Sequence, residues 1–85
     1  MRFLHKNQQY DTDAMIDLEI NHGEFCGNEV LGLFMTKVSR RLFVWTRSSE
    51  AKVGYIWYEA SHDTIADFAQ RYKLLALTEL LSSFS

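Results

Sequence analysis

The sequence predicts an α+β protein: an antiparallel β-meander of three to five strands with a C-terminal helix packed on one face. Three observations carry this. Short apolar-aromatic runs occupy Val30–Met35, Leu42–Trp45 and Tyr55–Tyr58, and polar turns separate them. Runs of this length, rich in β-branched and aromatic residues, read as strands. After Ser61 the apolar residues Ile65, Phe68, Ala69 and Tyr72 change to helical spacing. The 85 residues are 47% hydrophobic and 14% aromatic, enough for one domain with a packed core.

In chain order, Arg2–Lys6 reads as a short first strand and Asn7–Gln9 as a polar connection. Tyr10-Asp11-Thr12-Asp13 has turn chemistry, since Asp and Thr side chains bond nearby backbone amides. Between Ala14 and Ile20, apolar and polar residues alternate, which predicts a half-buried strand. A helix capped by Thr12 is the alternative, because Ile16 and Ile20 also share a helical face. Residues 21–28 read as a loop in which Gly23 and Gly27 permit positive φ.

Within the meander, alternation places Leu31, Leu33 and Met35 on one face of the first strand, and Val30, Gly32, Phe34 and Thr36 on the other. The connections Val38–Arg40 and Ser48–Lys52 have hairpin lengths. Large apolar groups fall on both faces of these strands. One helix covers one face, so the other is expected to meet a partner or a second copy of this chain. Ser61 or Asp63 caps the helix that starts at residue 62. After Lys73 the apolar stripe shifts to Leu74, Leu77, Leu81 and Phe84. The shift requires either a wide apolar face or a break near 73–78, with Thr78 capping a short final helix.

The net charge of −2 is unevenly spread. Lys37, Arg40, Arg41, Arg47 and Lys52 stand against Glu50 alone between residues 37 and 52. Together with Trp45 and Trp57 these cations suggest two roles. They could form the rim of a protein-binding face, with Trp45, Arg47, Arg41, Trp57, Arg40 and Lys37 as contact residues. Alternatively the basic hairpin 37–52 binds nucleic acid through phosphate neutralisation, with Trp45 or Tyr55 nearby to stack on a base. Pairing across strands with Glu29, Glu50 or Glu59 is the structural alternative to both.

Catalytic and metal signatures are sparse. His22 and Cys26 stand four apart in a loop, and His5 and His62 would both have to join them for a four-ligand zinc site. His62 with Asp63 and Asp67 fits the acidic first turn of a helix better than an acid–base pair. The sequence therefore predicts no catalytic residues, no cofactor and no metal. The single cysteine forms no internal disulfide. The N-terminus turns polar too early for a signal peptide, and no run is long enough to span a membrane. A cytoplasmic, non-enzymatic protein is the expectation.

The Tyr10-Asp11-Thr12 turn with Ala14, the hairpin Leu33-Phe34-Met35-Thr36-Lys37 and Leu42-Phe43-Val44-Trp45, and the helical C-terminus resemble short sheet-plus-helix proteins of bacterial mobile elements and phages. Phe34 stands where that pattern has Tyr, and Val38-Ser39-Arg40 replaces its basic-Gly turn. The helical Trp of the pattern is missing. The resemblance implies a small sheet with a helix; it implies no established activity and no site residues. An accessory or inhibitory protein of a phage or other mobile element, acting by protein binding, is the functional expectation.

Overall fold

The computed structural model describes residues 1–48 and 54–83. Most of the second hairpin connection, with Lys52, and Phe84 of the shifted stripe lie outside the described residues. The α+β expectation holds. A two-stranded hairpin, a five-stranded antiparallel sheet and two helices form three layers, with the sheet in the middle.

The hairpin pairs β1 (Arg2–His5) with β2 (Gln8–Asp11), placing Phe3 opposite Tyr10. Lys6 and Asn7 both have positive φ, 50° and 66°. A two-residue turn of that hand matches the twist of its strands, so Gln8 and Gln9 belong to a strand and are not a connection. Asp11 then accepts a hydrogen bond from Asp13 N at 3.0 Å and opens a 3₁₀ turn, Thr12–Ala14.

The strand expected over 14–20 shrinks to β3 (Met15–Asp17). The Asp17 carboxylate accepts from Glu19 N at 2.8 Å, and Glu19 turns to φ 59°. That local bond takes the chain out of the ladder. Leu18 and Ile20 instead pack on the helix-side core. The loop contains a two-residue strand, β4 (Glu24–Phe25), joined to β5 by Cys26 and Gly27, both at positive φ.

Three longer strands follow: β5 (Asn28–Thr36), β6 (Leu42–Arg47) and β7 (Tyr55–Ala60), in the order β3-β5-β6-β7, with β4 also beside β5. The register shifts between Val30 and Gly32. This β-bulge at Leu31 corrects the strict alternation expected there: Val30 moves to the face of Leu33 and Met35, while Gly32 stays with Phe34. Val30, Leu33, Met35, Leu42 and Val44 form the core with Ile65, Phe68, Ala69, Leu77 and Leu81. Thr46 is the one buried polar residue among those described, and its Oγ1 donates to Ile56 O at 2.9 Å.

Helix α1 (His62–Arg71) starts at Ser61, whose Oγ accepts from Thr64 N at 3.2 Å. It ends on Lys73 at φ 57°, where Leu74 N bonds Ala69 O and Lys73 N bonds Gln70 O. These paired bonds form the left-handed C-terminal cap that satisfies the last carbonyls. The expected break therefore falls at 72–74. Helix α2 (Leu75–Ser82) begins there without a side-chain cap; Thr78 lies inside it and donates to Leu74 O at 3.1 Å. The break swings the apolar stripe so that Leu77 and Leu81 rejoin the core.

Candidate interaction surface

The second face of the sheet, away from the helices, is built by alternate residues. Gly32, Phe34 and Thr36 come from β5, Arg41, Phe43, Trp45 and Arg47 from β6 and its entry, and Tyr55, Trp57 and Glu59 from β7. The N-terminal hairpin covers half of it. Phe3 stacks on Trp57 with ring centroids 3.8 Å apart and planes 6° from parallel. Phe3, His5 and Tyr10 surround Phe43 at 5.3, 5.5 and 4.7 Å, and Phe43 is fully buried.

The same half consumes one of the expected contact residues. Arg41 Nε and Nη2 donate to Glu59 Oε2 and Oε1 at 2.8 and 2.7 Å, and Nη1 donates to Tyr10 Oη at 2.6 Å. The hydrogen bonds from Arg41 hold the Glu59 carboxyl below the usual carboxylate range, with the charges of Arg41, His5 and Lys6 acting in the same direction against burial. In return Glu59 raises the guanidinium further. His5 Nε2 lies 3.2 Å from Glu59 Oε1 but is not aligned for a hydrogen bond. Arg41 is thus a clamp between β6, β7 and the hairpin.

Beyond Trp57, one side of which Phe3 covers, no hairpin lies over the face among the described residues. Trp45 and Trp57 stack at 5.9 Å, Trp45 meets Tyr55 at 5.4 Å, and Phe34 meets Trp57 at 5.7 Å. Tyr55 is 55% exposed, and Phe34, Trp45 and Trp57 are half-buried. Gly32 lies directly opposite Trp45. A Cβ at Gly32 would come within 2.7 Å of Phe34 Cε2 and 3.4 Å of Trp45 Cε3, so only glycine lets the rings settle onto the backbone. The result is a continuous aromatic strip across three strands, with exposed Arg47 at its end opposite Glu29.

The structure brings Trp45, Trp57 and Arg47 together and separates Lys37 and Arg40 from them. Lys37 and Arg40 lie in the β5–β6 turn, at the opposite end of β6 from Arg47, about 20 Å away at the rise of a strand. Sequence reasoning missed Phe34 and named Tyr55 only as an aromatic beside the basic hairpin, not as a member of the strip. The signal that would have found them is a glycine placed to face a tryptophan across two strands.

The histidines serve different places. His22 packs edge-on against Tyr72, His62 Nε2 sits 2.9 Å from Arg40 O, and His5 lies under the hairpin against Phe43. Cys26 is exposed in its turn. Among the described residues no three His, Cys, Asp or Glu side chains gather as a metal site would require, and no helix is long and apolar enough to cross a membrane. No family model matches the chain, and neither does any curated protein or solved structure.

Proposed function

We propose that this chain is a small, non-enzymatic intracellular binding protein whose aromatic strip, Phe34, Trp45, Tyr55 and Trp57, docks a protein partner. One observation carries the reading: the N-terminal hairpin covers Phe43 and one side of Trp57, and from Trp57 a contiguous run of rings continues over Trp45 and Tyr55 with no hairpin above it among the described residues. Aromatic side chains supply large contact area at low entropic cost, and they dominate the centres of protein interfaces. Arg47, at the end of the strip, is placed to pair with an acidic group on the partner. The role we propose for such a binding protein is accessory or inhibitory, in a phage or other mobile element.

Nucleic acid is the weaker reading. Phosphate tracking needs neighbouring cations. Here Arg41 is paired with Glu59, and Lys37 and Arg40 stand at the far end of β6 from Arg47.

The test is capture from the native host, comparing the parent chain with Trp45→Ala and with Lys37→Ala, each checked for fold by circular dichroism. A protein retained by the parent and Lys37→Ala but lost with Trp45→Ala supports the strip. Retention by Trp45→Ala, or a salt-dependent shift of DNA or RNA that Lys37→Ala weakens, overturns it.

A further inference from the structure

The sheet has two edges, and they are protected differently. On one side β5 is flanked by β3 and β4, strands of three and two residues, with the bonds Leu18 N to Leu33 O and Val30 N to Gly23 O filling the space between. Short, interrupted edges of this kind resist further pairing. On the other side β7 runs for six residues, Tyr55–Ala60, and pairs only with β6.

The direction of the β7 backbone groups follows from two bonds. Ser48 N donates to Gly54 O, so Gly54 faces β6, and alternation turns Ile56, Tyr58 and Ala60 the same way. Thr36 N donates to Arg41 O, so Arg41, Phe43 and Trp45 face β5, which leaves Leu42, Val44 and Thr46 to face β7. Both assignments agree. The N–H and C=O groups of Tyr55, Trp57 and Glu59 therefore point away from the sheet, and among the described residues none is recorded as their partner. The strand contains no proline, lysine or bulge to discourage addition.

We propose that β7 is a homodimer edge: a second copy of this chain adds its own β7 antiparallel, about a two-fold axis at Trp57. This goes beyond the proposed strip, with which it shares Tyr55 and Trp57, and concerns the strand edge rather than the ring face. Centring on Trp57 is the register that uses all three outward residues, with Trp57 opposite Trp57 and Tyr55 opposite Glu59 of the other copy. It also avoids placing the two Glu59 carboxylates opposite each other, as an axis at Glu59 would, since each lies two residues to one side of the axis.

The ends of β7 complement each other. Exposed Tyr55 lies two residues before Trp57. Two residues after it, His5, Lys6, Glu59, Ala60 and Ser61 line an open depression of about 480 Å³ along the edge. The two-fold axis carries each Tyr55 ring to the depression of the other copy. The pairing is isologous and closes at two chains, and it joins the two aromatic strips across the new strand pair.

The test uses the full chain from micromolar to near-millimolar concentration, following mass by light scattering and single amides by hydrogen exchange. The expected result is a rise to twice the chain mass, with the Tyr55, Trp57 and Glu59 amides becoming protected as it rises. The Ile56 and Tyr58 amides, bonded to β6, stay protected throughout. Tyr55→Ala is expected to weaken the dimer at least tenfold while leaving the circular dichroism unchanged. A monomer at every concentration overturns the proposal. So does a dimer in which the three outward amides stay unprotected, or a monomer whose outward amides become protected only by an added extended peptide.

Discussion

Arg41 and Glu59 meet fork to fork, two nitrogens on two oxygens at 2.7 and 2.8 Å, beneath the hydroxyl of Tyr10. The pair joins β6 to β7 and both to the N-terminal hairpin, so its protonation state bears on all three. In an unfolded chain a glutamate carboxyl titrates at about 4.3. In the folded protein Arg41 holds Glu59 lower. A lowered folded pKa means stabilisation that is complete above the unfolded value and is lost as pH falls through the folded one. Glu59→Gln is therefore expected to unfold at lower denaturant than the parent at neutral pH, with the gap closing in acid below about pH 4. Urea midpoints of both proteins across pH 3–8, on the order of one point per half unit, give the answer. A gap of constant size would show that ionised Glu59 confers no advantage.

Phe3 is the main apolar anchor of the hairpin, flat on Trp57 and edge-on to Phe43. Removing its ring should cost about 3 kcal/mol, as for other buried Phe→Ala changes. It should also open Trp57 to water. In Phe3→Ala, chemical denaturation and tryptophan emission should move together, with lower stability and a red-shifted native spectrum. An unshifted spectrum would mean that the hairpin stays seated without this ring.

Gly32→Ala tests how the strip is seated. The new methyl group meets the Phe34 ring at 2.7 Å, so the ring must swing off the sheet. A cost of about 1–2 kcal/mol is expected, in the range of other overpacking changes. The Phe34–Trp57 contact should weaken with it, visible as altered Trp57 side-chain shifts by NMR. Unchanged shifts and stability would show that the backbone has room to yield.

Lys73 ends α1 in a left-handed conformation that glycine adopts without steric cost. Lys73→Gly should raise stability by about 0.5–1 kcal/mol, measured by thermal or urea unfolding. A loss instead would mean that the lysine side chain contributes more than its backbone strain removes.

The parts of the fold that were legible in the sequence are those set by strong local pattern. The three long strands and the helix from residue 62 follow from apolar spacing and capping chemistry, which also offered Ser61 as one of two caps and a break near 73–78 as one of two readings of the shifted stripe. The missed parts depend on single residues that override a pattern. Leu31 sits in a bulge and so sends Val30 to the helix side. Asp17 bonds Glu19 N and ends a strand whose alternation continues to Ile20. Lys6 and Asn7 adopt positive φ without glycine, which concealed a tight turn. The strip was half legible for the same reason. Trp45, Trp57 and Arg47 stood out by type, but what lay above each was decided by where the hairpin folds back. Arg41 looked like a surface cation until Glu59 and Tyr10 were placed around it.

That hairpin also has a consequence for the order of folding. Its turn and its two strands are local and form on the microsecond scale of isolated hairpins. Its partners, Phe43 and Trp57, lie some forty to fifty residues further along the chain, and they present a surface only once β6 and β7 have paired. Residues 1–11 precede β6 and β7 in the chain, so they must wait for the last strand before they find their seat. Until then the whole aromatic face of the nascent sheet is bare, and chaperone demand should peak in that interval.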